Sequence, residues 1–288
     1  MRTRLFVLLQ HVLPRHLLTS LVYHIARTRA PFVKNLLIAC FVRLFRIDTG
    51  EAALDVPGGF ATLNDFFIRE LKAAARLVDP DPGAICSPVD GFVSLVGQLA
   101  GNNILQAKGL DYTLDELLAS DLDDARAFVD GAFATLYLAP HNYHRVHAPL
   151  AGDLVAARYV PGDLFSVNHG SVTHLSGLFL RNERLIMRFQ TDRGPMAVIF
   201  VGALNVGSIS TPWSGEIRPR KTGLVEAIKL DPASTHVQKG DLLGWFNMGS
   251  TVIVLLPTGS CEWHDELEPG VSVTMGKAIG RLVAFEPE

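Results

Sequence analysis

Cysteine is scarce in this sequence: Cys40, Cys86 and Cys261 stand alone among 288 residues, with no Cys-x-x-Cys spacing. That argues against a disulfide framework or a thiolate zinc site and makes a reducing cytoplasm the default compartment. Acid is missing from the head of the chain. Before Asp48 there are eight Lys and Arg (Arg2, Arg4, Arg15, Arg27, Arg29, Lys34, Arg43, Arg46) and no Asp or Glu, so a net charge of -3 hides a body with 18 basic and 29 acidic residues. Also absent is an uncharged apolar run of the ~18–20 residues that a membrane-spanning helix needs. The Gly-x-Ser-x-Gly elbow of α/β-hydrolases is missing too. There is no clear internal repeat and no low-complexity segment.

A basic, apolar head on an acidic body points to a polyanionic surface as partner. Nucleic acid and anionic lipid both carry that charge. Lipid is favoured over nucleic acid because the head is rich in Leu, Val, Ile and Phe. Leu18, Leu21, Val22 and Ile25 follow helical spacing, as do Leu36, Leu37, Cys40, Phe41 and Leu44, with Asn35, Arg43 and Arg46 on the opposite face. Interfacial helices lying among headgroups, with arginines turned to phosphates, are the expectation; docking of these helices on the body is the alternative. Met1 to Leu13 has a basic start, but no small-residue cleavage site follows, so a signal peptide is not expected. Leu37-Ile38-Ala39-Cys40 is similar to a lipoprotein box, yet Lys34 leaves almost no apolar run before it, and Cys40 reads as a core or interface thiol.

The fold class expected is α+β: amphipathic helices over residues 1–50, then a β-rich catalytic domain over 51–288. Two or three helices fill residues 3 to about 46, and Pro57-Gly58-Gly59 marks a linker. Thr62-Leu63-Asn64-Asp65 opens another helix, with Phe66, Phe67 and Leu71 as its apolar positions and Thr62 or Asn64 as cap. From about Ile85, short apolar runs bounded by turn residues predict strands at Gly91–Val96, Ala132–Leu138, Leu154–Val160, Arg184–Gln190, Met196–Val201 and Thr251–Leu256, with a short helix near Leu114–Leu118.

Three stretches carry the candidate chemistry. Ser87-Pro88-Val89-Asp90-Gly91 reads as a turn, in which Asp90 alone would do no more than cap. His141 to Pro149, "HNYHRVHAP", repeats histidine every three residues. Pro140 and Pro149 bracket it, so a helix is not expected; on a strand His144 and His147 would face apart unless a twist brings both to one cleft. With no nearby Cys and no Glu in the stretch, metal ligation is not expected. Gly249-Ser250-Thr251 places a serine after an unhindered glycine carbonyl, at the mouth of an apolar run. A serine needs a base and an orienting group to react, and Asp90, a histidine and Ser250 could supply that set.

"LNDFFIREL", "ILQAKG", "SPVDG", "HNYHRVHAP", "YVPGDLFSVN", "RNER", "VGALNVGSI" and "GSTVIVLLP" occur in the order and context of the phosphatidylserine decarboxylases. The chain resembles that family over nearly its full length, most of all the short bacterial proenzymes. Met248 stands where the family usually has leucine. The resemblance implies self-cleavage between Gly249 and Ser250 into a β chain, 1–249, and an α chain, 250–288, with a covalent pyruvoyl group made from Ser250. It implies that His147 deprotonates Ser250 while Asp90 orients and stabilises the imidazolium, and that His144 protonates the carbanion left by CO2. Tyr143, Phe165, Ser166 and Asn168 are implied pocket residues. His141, Arg145 or the Arg218–Lys221 loop could meet the phosphate. The resemblance also implies decarboxylation of phosphatidylserine to phosphatidylethanolamine, a homodimer, and a peripheral place on the cytoplasmic face of the bacterial membrane. A membrane-associated serine or metal-dependent hydrolase and a non-catalytic lipid-binding protein are the other classes open.

Overall fold

The computed structural model describes residues 2–107, 110–120, 125–249 and 251–283. Three helices open the chain: α1 (Arg2–Val12), α2 (Arg15–Ala26) and α3 (Pro31–Phe45). Pro31 starts α3, where its missing N–H costs nothing, and Arg46 closes it in the left-handed conformation, its N–H donating to the Val42 carbonyl. The fourth helix, α4 (Leu63–Phe67), is capped by Thr62, whose hydroxyl accepts from the Asp65 N–H at 3.0 Å. The predicted position of Leu71 on this helix is not realised. The chain leaves α4 after Phe67, and Leu71 instead bridges to Ala52.

The helices of the head are turned inside out. Gln10, Arg15, Thr19 and Lys34 are buried against the body, whereas Leu8, Leu9, Val12, Leu17, Leu21, Ile25, Leu36 and Leu44 are exposed. Arg15 pairs with Asp163 at 2.5 Å, Arg27 with Glu216 at 2.6 Å, and Lys34 donates to the Phe60 carbonyl at 2.6 Å. These three cations are paired within the protein itself, whereas Arg43 and Arg46, on the polar face of α3, are exposed. Cys40 is exposed on the outer side of α3, not in the core. A small apolar cluster of Ala26, Ile38, Ile47, Ala52, Phe60, Leu63 and Phe66 fastens α2 and α3 to α4, so the packing runs across residue 50.

The body is built on a nine-stranded antiparallel sheet. Its main path runs Gly152–Val160, Arg184–Thr191, Gly194–Val201, Thr251–Leu256, Ala132–Tyr137 and Gly91–Gln98 in spatial order. The predicted strands are all present, and Thr251–Leu256 has the predicted bounds. That strand is central: Ile253 pairs with Ile199 on one side and Thr135 on the other, and all six of its residues are buried. A strand covered on both faces has no polar alternation, which accounts for the unbroken Val-Ile-Val-Leu-Leu run. A second sheet, in the order Gly215–Ile217, Ser208–Thr211, Leu242–Asn247 and Arg145–His147, packs alongside it.

Because Ile253 is fully enclosed, Ile253→Ala is expected to cost about 2–5 kcal/mol through lost apolar contact and an unfilled cavity. A lowered thermal midpoint checks this; an unchanged midpoint would contradict the central position of the strand.

Candidate active site

The chain passes directly from the smaller sheet to the larger one at a tight corner between Asn247 and Thr251. Met248 has φ 92° and Gly249 φ 74°. Glycine tolerates that region freely, but a methionine held there costs on the order of 1–3 kcal/mol. Buried hydrogen bonds hold the corner against this strain. The Asn247 side-chain amide donates to the Ser208 and Ser210 hydroxyls at 2.8 and 3.0 Å, and its oxygen accepts from Asn64 at 2.9 Å. The Asn247 carbonyl accepts from the Gly207 N–H at 2.7 Å. Ser250, the expected reacting residue, lies outside the described residues. Its successor Thr251 carries a buried hydroxyl with no hydrogen-bond partner among the described residues.

His144 is the histidine placed at this corner. It is fully buried, its ring stacks on Phe67 at 4.0 Å between centroids, and a methyl group built on Gly249 would lie 3.4 Å from its Cε1. Its backbone carbonyl accepts from the Phe246 N–H, which fixes the ring beside the strand leading to the corner. Among the described residues, neither ring nitrogen has a hydrogen-bond partner of good geometry. Burial, reinforced by the nearby Arg69 cation, lowers its pKa to about 3, although the Ala139 and Pro140 carbonyls oppose part of the shift. His144 is therefore neutral in the resting protein. Beside Gly249 opens a cavity of about 240 Å³, lined among others by Phe41 and Phe45 of α3, Phe67, Tyr137, Ser166 and Asn205. The head thus supplies one wall of the cavity at the corner.

His147 has a different setting. Its Nδ1 lies 2.8 Å from the Gly240 carbonyl and its Nε2 lies 3.0 Å from the Tyr143 hydroxyl. A carbonyl only accepts, so the proton is on Nδ1, and Nε2 holds the lone pair that accepts from Tyr143. Burial lowers the His147 pKa, while the Gly240 contact and the field of Asp90 act in the opposite direction. Asp90 does not reach His147 by a direct hydrogen bond. Its carboxylate accepts from the Met275 N–H at 2.9 Å and from Arg76, whose Nη2 is 2.5 Å away. Arg76 also binds Glu51, and these two carboxylates raise its pKa. The backbone joins the two motifs, because the His147 N–H donates to the Pro88 carbonyl at 2.8 Å.

The remaining expected residues divide between places. Ser166 faces the cavity at Gly249, whereas Asn168 caps the short helix His169–His174 by accepting from the Ser171 N–H at 2.9 Å. Phe165 is buried under the Arg15 guanidinium, 3.8 Å from its ring centre. Tyr143 stays with His147, and burial raises its pKa to about 12. Arg145 pairs with Glu70 at 3.1 Å, and the His141 carbonyl accepts from Arg69. Sequence reasoning missed Arg76, Phe67 and Gln10. Gln10 is fully buried, accepts from the Ser166 N–H at 2.7 Å and donates to Ser171 at 3.1 Å, so α1 directly holds a cavity-lining residue. A buried glutamine in an amphipathic head is the one signal that could have revealed it.

Similarity to known proteins follows the same segments. The family profile described as phosphatidylserine decarboxylase matches residues 63–281, and a second, described as PSD, matches residues 5–46. Curated proteins named phosphatidylserine decarboxylase proenzyme are similar over nearly the whole chain. That of Azotobacter vinelandii is 45% identical over 98% of this chain and 99% of its own length. Those of Saccharophagus degradans and Methylococcus capsulatus are 41% and 44% identical, covering 98% and 96% of this chain and 99% and 96% of their own lengths.

The neutral, buried His144 makes stability depend on pH. Its folded-state pKa lies below the ordinary 6.5, so its contribution is complete above that value and is lost as pH falls toward 3. At pH 5 the loss is about 2 kcal/mol. The thermal midpoint is expected to drop between pH 7 and pH 5, and His144→Gln, which does not titrate, is expected to flatten that drop. Identical pH profiles for the two proteins would contradict the assignment.

Proposed function

Because the chain belongs to the phosphatidylserine decarboxylase family, we propose that it cuts itself between Gly249 and Ser250 and then releases the carboxyl group of phosphatidylserine as CO2, leaving phosphatidylethanolamine. The observation that carries this reading is the strained Met248–Gly249 corner, flanked by a buried histidine and a cavity walled partly by the head. With no side chain on Gly249 to shield it, its carbonyl suits attack by the next residue, and departure from the corner releases the strain of Met248.

His147 serves as base through Nε2, which the Gly240 contact leaves unprotonated. Asp90 stabilises the imidazolium through its field, and Arg76 holds the Asp90 side chain in place. The Ser250 hydroxyl attacks the Gly249 carbonyl, and the acyl group passes from nitrogen to oxygen as an ester. Elimination frees the Gly249 carboxylate and leaves a dehydroalanine, which tautomerises, adds water and loses ammonia to give the pyruvoyl end of the α chain. The pyruvoyl ketone, conjugated to the following amide, supplies the electron sink that decarboxylation of an α-amino acid requires. The unpartnered Thr251 hydroxyl and His144 nitrogens fit such a polar group beside position 250. In the decarboxylation step His144 delivers the proton. An anionic substrate in the cavity raises the pKa of a histidine that burial otherwise keeps neutral. Tyr143 holds His147 in register, and Ser166 faces the bound headgroup, with Phe165 and Asn168 shaping the loop behind it.

The outward apolar faces of α1, α2 and α3 dock the protein on the membrane. No described helix is long and apolar enough to cross it, so the attachment is peripheral, and the anionic substrate places it on a lipid-headgroup surface, the cytoplasmic face in a bacterial cell. Burial of several leucines at ~1.5–3 kcal/mol each outweighs the cations already used in the protein interior.

Purified protein is expected to run as two chains on a denaturing gel and to release CO2 from carboxyl-labelled phosphatidylserine. Ser250→Ala and His147→Ala are expected to remain one chain and release none. His144→Ala is expected to be cut, with CO2 release lower by roughly 10²–10⁴-fold. An active protein that is a single full-length chain would overturn the self-cleavage. A two-chain protein that releases no CO2 would overturn the reaction.

A further inference from the structure

The loop between Gly215–Ile217 and Glu226–Ala227 has a use that the corner and its cavity do not account for. Its sequence, Arg218-Pro219-Arg220-Lys221-Thr222-Gly223-Leu224-Val225, alternates cations with an apolar tip. Leu224 is 89% exposed, more than any other large apolar side chain among the described residues, and Val225 is exposed beside it. Isolated exposed leucines are common on protein surfaces. This one is held out on a fixed base.

The base is tied in three ways. The Arg220 N–H donates to the Tyr159 hydroxyl at 3.1 Å, the Arg220 carbonyl accepts from the Gly162 N–H at 2.9 Å, and the Arg220 side chain pairs with Glu226. Gly223, at φ 145°, lets the chain reverse beyond that base. The loop also runs along α2. The Arg218 guanidinium lies 3.5 Å over the Tyr23 ring, and three residues on, Lys221 comes near His16. His16 is held below its ordinary pKa by burial first, and Lys221 adds to that by repulsion. Three extended residues span about 10 Å, as do the two helical turns from Tyr23 back to His16. His16 and Tyr23 stand on one flank of α2, between its buried Arg15 and Thr19 and its exposed Leu17, Leu21 and Ile25. The base of the loop therefore runs beside α2, and the tip projects beyond it.

We propose that the Lys221–Val225 loop is a second lipid-contacting element, with Leu224 and Val225 among the acyl chains and Arg218 and Lys221 at the phosphates of an anionic bilayer. The occupant is assigned from charge and continuity. Lys221 has no ion-pair partner among the described residues, its charge complements anionic headgroups, and the base of the loop lies against α2, whose other face exposes Leu17, Leu21 and Ile25. A helix face alone fixes one line of contact with a membrane. A loop beside it fixes a plane, which sets how the cavity at Gly249 is presented to a headgroup. This inference rests on the membrane docking proposed for the head.

Flotation of the full protein with phosphatidylcholine vesicles containing phosphatidylserine tests it. The double variant Leu224→Asp, Val225→Ser is expected to lower the partition coefficient by about tenfold or more, the order set by withdrawing one leucine side chain from an apolar phase. Both positions are exposed, and an unchanged thermal midpoint verifies that the variant is folded. In parallel, Leu224→Trp is expected to gain fluorescence quenching by bromine-labelled acyl chains above the level of the native tryptophans. A wild type that floats alongside a double variant that floats equally, with no added quenching of Leu224→Trp, would overturn the loop's role and leave the head's docking standing. A wild type that does not float would overturn both.

Discussion

Everything at the candidate site depends on one constraint: the chain must turn from one sheet into another at Met248 and Gly249, and it does so with both residues at positive φ. Two ladders of backbone hydrogen bonds hold Thr251–Leu256 on the far side, and Asn247, bound by Ser208, Ser210 and Asn64, holds the near side. Neither end can relax without breaking buried hydrogen bonds, which are costly to leave unmade. The strain therefore stays at the Gly249 peptide. The same anchoring explains how a short C-terminal chain would remain in place after a cut, since its first strand lies in the middle of the nine-stranded sheet.

The head is joined to that corner by polar contacts pointing the opposite way from those of an ordinary surface helix. Gln10 holds the Ser166 N–H, Arg15 holds Asp163 and covers Phe165, and Phe41 and Phe45 wall the cavity. Buried polar groups must be paired, so these contacts fix the helices on the body and leave their leucines outward. In the docking proposed above, the head that would meet the membrane also walls the cavity, through Phe41 and Phe45.

Much of this was legible in the sequence, for definable reasons. Apolar runs bounded by Gly, Pro and Asn marked the strands closely, because central strands buried on both faces admit little else. The cap at Thr62 and the short helix at Leu114–Leu118 were readable from local hydrogen-bonding chemistry. Motif order brought Asp90, His144, His147 and Gly249 forward together. What pairs with what was not legible. Period alone cannot say which side of a helix meets the body, so the pairing of Arg15, Arg27 and Lys34 with Asp163, Glu216 and backbone carbonyls was not readable from the sequence. The clamp of Arg76 on Asp90 depends on a loop with no motif, and the stacking of His144 on Phe67 joins residues far apart in the chain. Such contacts are set by tertiary geometry, which no local pattern encodes.

If the strained corner is where a serine becomes a ketone, the chemistry is recorded in the mass of the smaller chain. Intact mass spectrometry of the denatured, purified protein tests this most directly. The account predicts a fragment spanning residues 250–288 that is lighter by one ammonia than the same fragment with a free amino-terminal serine. A fragment that carries that free serine, or one that begins anywhere other than position 250, would contradict it.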